Sequence, residues 1–290
     1  MQTGLMIHNY SNPTGLTNLG PQLGQLAQVA ERSGFESIWL LDHLFQMEMA
    51  GSLDDPMLEA YTTLGYLAAL TQSAQLGVMV TGVIYRYPAM LVKVLTTLDV
   101  LSGGRAWLGI GASWYEREAR GLGIPFPSLK DRFEQLEETL QITLQMWGSD
   151  IAAYNGTHFQ LAEARNRPQP LSQPHPPILI GGTGEKKTLR MVAQYANASN
   201  FGGEVALDVI AHKLTVLQAH CERLDRDYDS ILKTVNRSVG PEQSNDEIGS
   251  VVQQLAQLGI GKVIFVPSNP YDIAFIERLG QEVLPAIESL

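Results

Sequence analysis

The stretch Ser33-Gly34-Phe35-Glu36-Ser37-Ile38-Trp39-Leu40-Leu41-Asp42-His43 sets the terms on which the rest of the chain is read. Gly34 stops a preceding helix in which Leu23, Leu26, Ala27 and Ala30 recur at helical spacing. Residues 35–41 then form an apolar run too short for a helix and too continuous for a strand with one wet face. Both faces are expected to be buried, as in a parallel sheet covered by helices. The run ends in an acid and an imidazole, Asp42-His43.

The same pattern extends outward. Residues 4–8 read as an apolar strand, followed by a Gly/Asn/Pro loop and a helix beginning near Pro21. Downstream, helices are expected at 58–70 and 88–101, and strands at 76–80 and 106–110. Asp131 with Glu134 reads as a capping box opening a helix whose apolar stripe is Phe133, Leu136, Leu140, Leu144 and Trp147. The polar, Pro-rich stretch 148–177 reads as an insertion, with Tyr154-Asn155-Gly156-Thr157 as a hairpin tip. Strands at 178–180, 198–201, 231–235 and 262–266 then alternate with helices at 186–195, 207–224, 247–258 and 271–284. A Ser244/Glu247 capping box opens the third of those helices.

Eight strand–helix units in 290 residues predict one α/β domain over 1–290, a closed parallel (β/α)8 TIM barrel. Insertions are expected after strand four and between helix four and strand five. An open doubly wound sheet fits less well, because the first turn lacks Gly-x-Gly-x-x-Gly.

With 44% hydrophobic residues the chain has ample material for a large core, and a net charge of −10 argues against a nucleic-acid partner. The single cysteine, Cys221, excludes a disulfide framework and a Cys-cluster metal site, and fits a reducing compartment. No basic-then-apolar leader opens the sequence and no apolar run reaches the ~18 residues of a membrane span, so the expectation is a cytoplasmic protein without a membrane partner.

In such a barrel the active site lies at the C-terminal strand ends. This selects His8-Asn9, Asp42-His43, Thr81-Gly82-Val83, Gly109-Ile110-Gly111, Gly181-Gly182-Thr183-Gly184, Asn200, Asn236-Arg237 and Pro267-Ser268. Asp42-His43 is the one adjacent acid and imidazole on this rim; it suits proton donation or ligand orientation, and reads equally as a surface or capping pair. Gly109-x-Gly111 lacks the third glycine of a dinucleotide fingerprint and also reads as a tight turn. Residues 181–184 follow a buried strand and open a helix, an arrangement that offers backbone N–H groups and a positive dipole end to an anion. Lys186, Lys187 and Arg190 in the first turns suit a compensating anion, while a glycine turn chosen for steric reasons is the alternative.

Neither His-Glu-x-x-His nor Gly-x-Ser-x-Gly occurs, and no metal ligands are assigned. His158, His175, His212 and His220 read as structural, and Trp39 and Trp107 as core. Trp114, Tyr115 and Phe126 fall in a loop that could wall an apolar pocket.

Four blocks in order, 30–43, 97–105, 108–118 and 180–190, resemble the bacterial luciferase-like family, particularly its coenzyme F420-dependent oxidoreductases. They read AERSGFESIWLLDH, TLDVLSGGR, LGIGASWYERE and IGGTGEKKTLR. The resemblance implies the same barrel, with a deazaflavin or FMN across the strand ends. His43 would be the catalytic residue that handles a proton or polarises the ring, and Asp42 would approach the ring beside it. Thr81, Gly82 and Val83 would form a bulge behind the ring, with a non-prolyl cis peptide at Gly82–Val83. Gly109 and Gly111 would admit the ring to the backbone, and Gly181, Gly182, Thr183 and Gly184 would hold the cofactor phosphate.

Some deazaflavin sugar-phosphate dehydrogenases of the family carry a catalytic Glu just after the glycines of strand four. This chain has Ala112-Ser113-Trp114 there, with acids only at Glu116 and Glu118, so such an activity is not expected and no carboxylate is assigned as general acid. The implied activity is hydride transfer between F420 and a small organic substrate. An FMN-dependent luciferase-like monooxygenase and a non-catalytic flavin-binding relative are the alternatives. A homodimer is implied, formed by helices near strands two and three, to which the Met-rich segment 45–58 could contribute.

Overall fold

A computed structural model describes residues 1–11, 15–203 and 205–290. Its barrel strands are β1 (Gln2–Ile7), β2 (Ser37–Leu40), β3 (Gln75–Val78), β4 (Ala106–Gly111), β5 (Ile178–Gly181), β6 (Ala198–Phe201), β7 (Leu232–Val239) and β8 (Lys262–Pro267). Each pairs in parallel with the next, and β8 returns to β1 with Lys262 opposite Gln2, so the barrel closes with eight strands. One extra short strand, Thr81–Gly82, pairs with Ile110 and Gly111 of β4.

The helices are α1 (Leu19–Arg32), α2 (Ala60–Leu70), α3 (Pro88–Ser102), α4 (Glu116–Gly121), α5 (Leu129–Trp147), α6 (Thr188–Tyr195), α7 (Leu207–Arg223), α8 (Asn245–Gln257) and α9 (Ile273–Arg278). Among the described residues no helix is long and apolar enough to cross a membrane. Asn12 and Pro13, part of the loop expected after the first strand, lie outside the described residues.

Several boundaries differ from the sequence reading for identifiable reasons. The Ser244/Glu247 capping box forms with both of its bonds. The Asp131/Glu134 box does not: Ser128 caps α5 by accepting from the Asp131 N–H at 3.2 Å, so the helix starts earlier, and Glu134 meets His158 Nε2 at 3.1 Å instead. The helix of the fifth unit begins at Thr188, because residues 185–187 form a turn first. The helix expected over 271–284 is interrupted by a wide turn at Leu279–Val283, just before Pro285, which has no N–H to donate.

In the insertion, Tyr154–Asn155 pairs antiparallel with Gln160–Leu161. Its later part is fastened by the buried Asp99 carboxylate of α3, which accepts the N–H groups of Leu171 and Ser172 at 2.7 and 2.9 Å. Arg105 donates to the carbonyls of Ala68, Thr71 and Ala74. The 97–105 block is therefore scaffolding between α2, α3 and the insertion.

Inside the barrel, Met6, Trp39, Met79, Trp107, Leu179 and Ile264 form one apolar cluster, with the Trp39 and Trp107 rings edge to face at 5.8 Å. Both tryptophans are core, as the sequence indicates. Lys262 is buried in the same region, its Nζ over the Trp107 ring. A larger cluster fills the space between strands and helices. The filled interior packs the barrel below its C-terminal mouth.

Candidate active site

A cavity of about 460 Å³ opens at that mouth. Asp42 and His43 from the end of β2, residues 79–82 after β3, Gly111 of β4, Gly181 of β5 and Gly182 and Thr183 just after it all line it, together with Asn200 and Asn236. Val83, Gly109 and Gly184 do not line it. Val83 is buried in the main core. Gly109 is a packing glycine, since a Cβ there would lie 2.0 Å from the Val78 carbonyl oxygen.

The bulge after β3 lies earlier than expected. The non-prolyl cis peptide is Met79–Val80, not Gly82–Val83. The apolar run 76–80 reads as one strand, but the β2–β3 ladder ends at Leu40 and Val78, and pairing resumes only at Thr81 against β4. Hydrophobicity does not mark that break, because Met79 and Val80 are as apolar as the strand before them. The bulge sends the Val80 side chain across the ends of β4 and β5. A Cβ at Gly111 or Gly181 would come within 2.9 Å of it.

Asp42 and His43 do not act as a pair. The Asp42 carboxylate takes a fork from Arg86, with Nη1 at 2.6 Å and Nη2 at 2.8 Å, and accepts the Gly82 N–H at 3.2 Å. Arg86 also bonds Glu59. Burial pushes the Asp42 carboxyl above its ordinary range, against the pull of the Arg86 guanidinium. Thr81 Oγ1 meets the Tyr61 hydroxyl at 2.5 Å. Asp42 and Thr81 thus fix the bulge from behind.

His43 turns the other way, and its Nδ1 lies 2.7 Å from Glu118 Oε1. Glu118, on α4 and fully buried, accepts the N–H groups of Leu44 and Phe45 at 2.7 and 3.1 Å on its other oxygen. The Tyr85 hydroxyl donates to it as well. Burial alone would raise the Glu118 carboxyl, but the bonds from His43, Tyr85 and the Leu44 N–H hold it below the ordinary carboxylate range. With Nδ1 engaged, Nε2 is the imidazole nitrogen left for a ligand.

The Trp114 and Tyr115 rings stand edge-on to the imidazole at 5.4 and 5.7 Å. Trp114 walls the cavity, as the loop composition suggests, whereas Tyr115 is bound to Glu48 and Phe126 stacks under Arg132.

On the far rim Gly182 has φ +119°, a conformation that favours glycine. Its N–H donates to the Asn200 carbonyl at 3.0 Å, so it is already engaged. Among the described residues Thr183 and Gly184 are the members of this loop whose N–H groups have no partner. Two of the three basic residues that suit an anion are placed otherwise: Arg190 pairs with Glu137 at 2.6 Å and Lys187 lies over the Phe133 ring, while Lys186 is exposed.

Glu118, Arg86 and Tyr85 were not singled out as site residues by sequence reasoning. Only Glu118 left a trace, as one of the two acids, with Glu116, that follow the glycines of strand four.

A closed barrel with an imidazole–carboxylate pair at a glycine-lined mouth places the candidate site where α/β barrels carry theirs. The luciferase-like monooxygenase family matches residues 1–272, and the chain belongs to it. It is 32% identical over 168 residues to an F420-dependent glucose-6-phosphate dehydrogenase of Kineococcus radiotolerans, covering 57% of this chain and 48% of that protein. It is 31% identical over 160 residues to an FMNH(2)-dependent dimethylsulfone monooxygenase of Pseudomonas putida, covering 55% of this chain and 42% of that protein. The chain spans about half the length of these curated relatives. In fold it is similar to an F420-dependent secondary alcohol dehydrogenase solved in complex with an F420-acetone adduct, with a TM-score of 0.85 at 18% identity over 99% of this chain and 98% of that one.

Proposed function

We propose that the chain is an F420-dependent oxidoreductase that moves a hydride between the deazaflavin and a small organic substrate. The observation that carries this reading is the buried carboxylate behind His43, which fixes one imidazole nitrogen and leaves the other for a reacting group. The seat fits a deazaflavin. The cavity is within the size range of cofactor sites, its β4 and β5 edges are glycine, and the unpaired N–H group of Thr183, which lines it, suits a phosphate. When bound, the deazaflavin supplies the carbon that gives or takes the hydride.

The protein's own contribution is then placement and one proton. With Nδ1 turned to Glu118, His43 accepts a proton at Nε2 when substrate is oxidised and returns it when substrate is reduced. Glu118 stabilises the imidazolium in either direction. Arg86 and Asp42 hold the backbone at Gly82, and the Trp114 ring packs edge to face against the imidazole.

Two observations bear on the alternatives. The Pseudomonas putida relative supports an FMN-dependent monooxygenase, while a cavity lined by an engaged imidazole argues for an enzyme over a non-catalytic flavin carrier. Titrating the purified chain with F420 and, separately, with FMN, followed by calorimetry, tests the cofactor. Saturable F420 binding in the micromolar range or tighter is expected; FMN binding without F420 binding overturns the reading. Residence in the cytoplasm and a homodimer belong to the same proposal. A monomeric mass by light scattering across micromolar concentrations removes the dimer.

A further inference from the structure

The charge around the cavity constrains what can sit beside His43. Among the described residues no lysine or arginine lines it, and its three titratable lining groups, Asp42, His43 and Tyr85, are already engaged, Asp42 by Arg86 and the other two by Glu118. Four of the cations nearby are committed elsewhere, and Lys186 is exposed and does not line the cavity. Arg86 is held by Asp42 and Glu59, Arg132 donates to the carbonyls of Ala112 and Pro127, Lys187 covers the Phe133 ring, and Arg190 pairs with Glu137.

The wall that continues from His43 is apolar, made by Met47, Trp114, Leu129 and Phe133. The polar groups opposite are neutral. Asn200 Nδ2 donates to Thr234 Oγ1 at 2.9 Å and to Asn236 Oδ1 at 3.0 Å, which leaves Asn200 Oδ1 and Asn236 Nδ2 without a partner among the described residues. A phosphate or carboxylate on the substrate would lose its water and find no counter-charge, whereas a hydroxyl or carbonyl oxygen is served by Nε2 and the amides.

We infer that the site takes an uncharged, largely apolar substrate bearing one hydroxyl or carbonyl oxygen, and discriminates against phosphorylated molecules of the same shape. This rests on the proposed hydride-transfer reading, which it deepens by naming the substrate class. The discrimination sets the chain apart from what the names of its sugar-phosphate relatives suggest.

The test uses ligand-observed saturation-transfer NMR on the F420-loaded chain, with cyclohexanol and cyclohexyl phosphate as probes of matched shape. Cyclohexanol is expected to bind at least about tenfold more tightly than the phosphate ester. Leu129→Lys, which puts a cation into the wall at an exposed position, is expected to reverse or abolish that preference. Equal or tighter binding of cyclohexyl phosphate by the unaltered chain overturns the inference, and so does F420 binding without detectable cyclohexanol binding. If FMN binds and F420 does not, the hydride-transfer reading fails on its own. The same two probes on the FMN-loaded chain then decide the charge discrimination separately.

Discussion

At the ends of β2 and β3 the charged side chains are tied to one another through the loop, Asp42 to Arg86, Arg86 to Glu59, and His43 to Glu118. At the ends of β5, β6 and β7 the cavity is lined instead by glycine backbone, two threonines and two neutral amides. The first side spends its bonds on fixing a proton-handling group within a dense network, where a loose imidazole would be useless. The second leaves space and main-chain donors, where a ligand must fit against the backbone. One barrel mouth thus divides chemistry from seating along its circumference.

The sharpest way to break that division is His43→Ala. If the charged side performs chemistry, turnover falls by ~10²–10⁴-fold while cofactor affinity stays near its original value. Single-turnover kinetics alongside cofactor titration measure both quantities, and a parallel fall in the two would assign His43 to seating.

Glu118→Gln is expected to be milder. Its amide oxygen can still accept the Leu44 and Phe45 N–H groups, but the charge facing His43 is gone, so turnover drops and the acid limb of its pH profile moves. Stability drops too, by about 1–3 kcal/mol. The sign of its pH dependence follows from the direction of the shift. Because folding holds the Glu118 carboxyl below its ordinary value of 4.5, its stabilising contribution is complete above that value and is lost as pH falls through the lower folded value. The gap in urea midpoints between the two proteins should therefore be full near neutrality and close in acid.

The smallest effect is expected on the neutral side. Gly182→Val places a β-branched residue at φ +119°, which costs about 1–3 kcal/mol of backbone strain and crowds the ligand edge. Cofactor affinity should weaken by roughly tenfold, with the single-turnover rate at saturating cofactor unchanged. Equilibrium titration of the folded variant checks this, and unchanged affinity would leave the loop as a steric turn.

The barrel was legible because strands such as β2, β4 and β5 are buried on both faces and read as short apolar runs, as residues 35–41 do, and because helix caps such as Ser244/Glu247 are local. The candidate rim positions followed from the same ladder. Partnerships across the fold were not legible. Arg86 lies 44 residues from Asp42, and Glu118 lies 75 from His43, separations that no periodicity records. Adjacency in sequence misled here. Consecutive residues leaving a strand point to opposite sides, so Asp42 and His43 were bound to find different neighbours. The roles of Gly109 and Gly111 were hidden for a related reason: whether a missing Cβ makes room for a ligand or for a neighbouring strand depends on what lies across the ladder. At Gly109 it is the Val78 carbonyl, and at Gly111 it is the Val80 side chain.

The edge-to-face tryptophans inside the barrel also shape the timing of events at its mouth. Trp39 and Trp107, with Met6 and Ile264 around them, plug the interior, so the cavity is a blind alley rather than a tunnel. Whatever enters must leave by the same doorway. Product and fresh substrate are then mutually exclusive occupants, and a slow departure holds up the next arrival however fast the chemistry beside His43 runs.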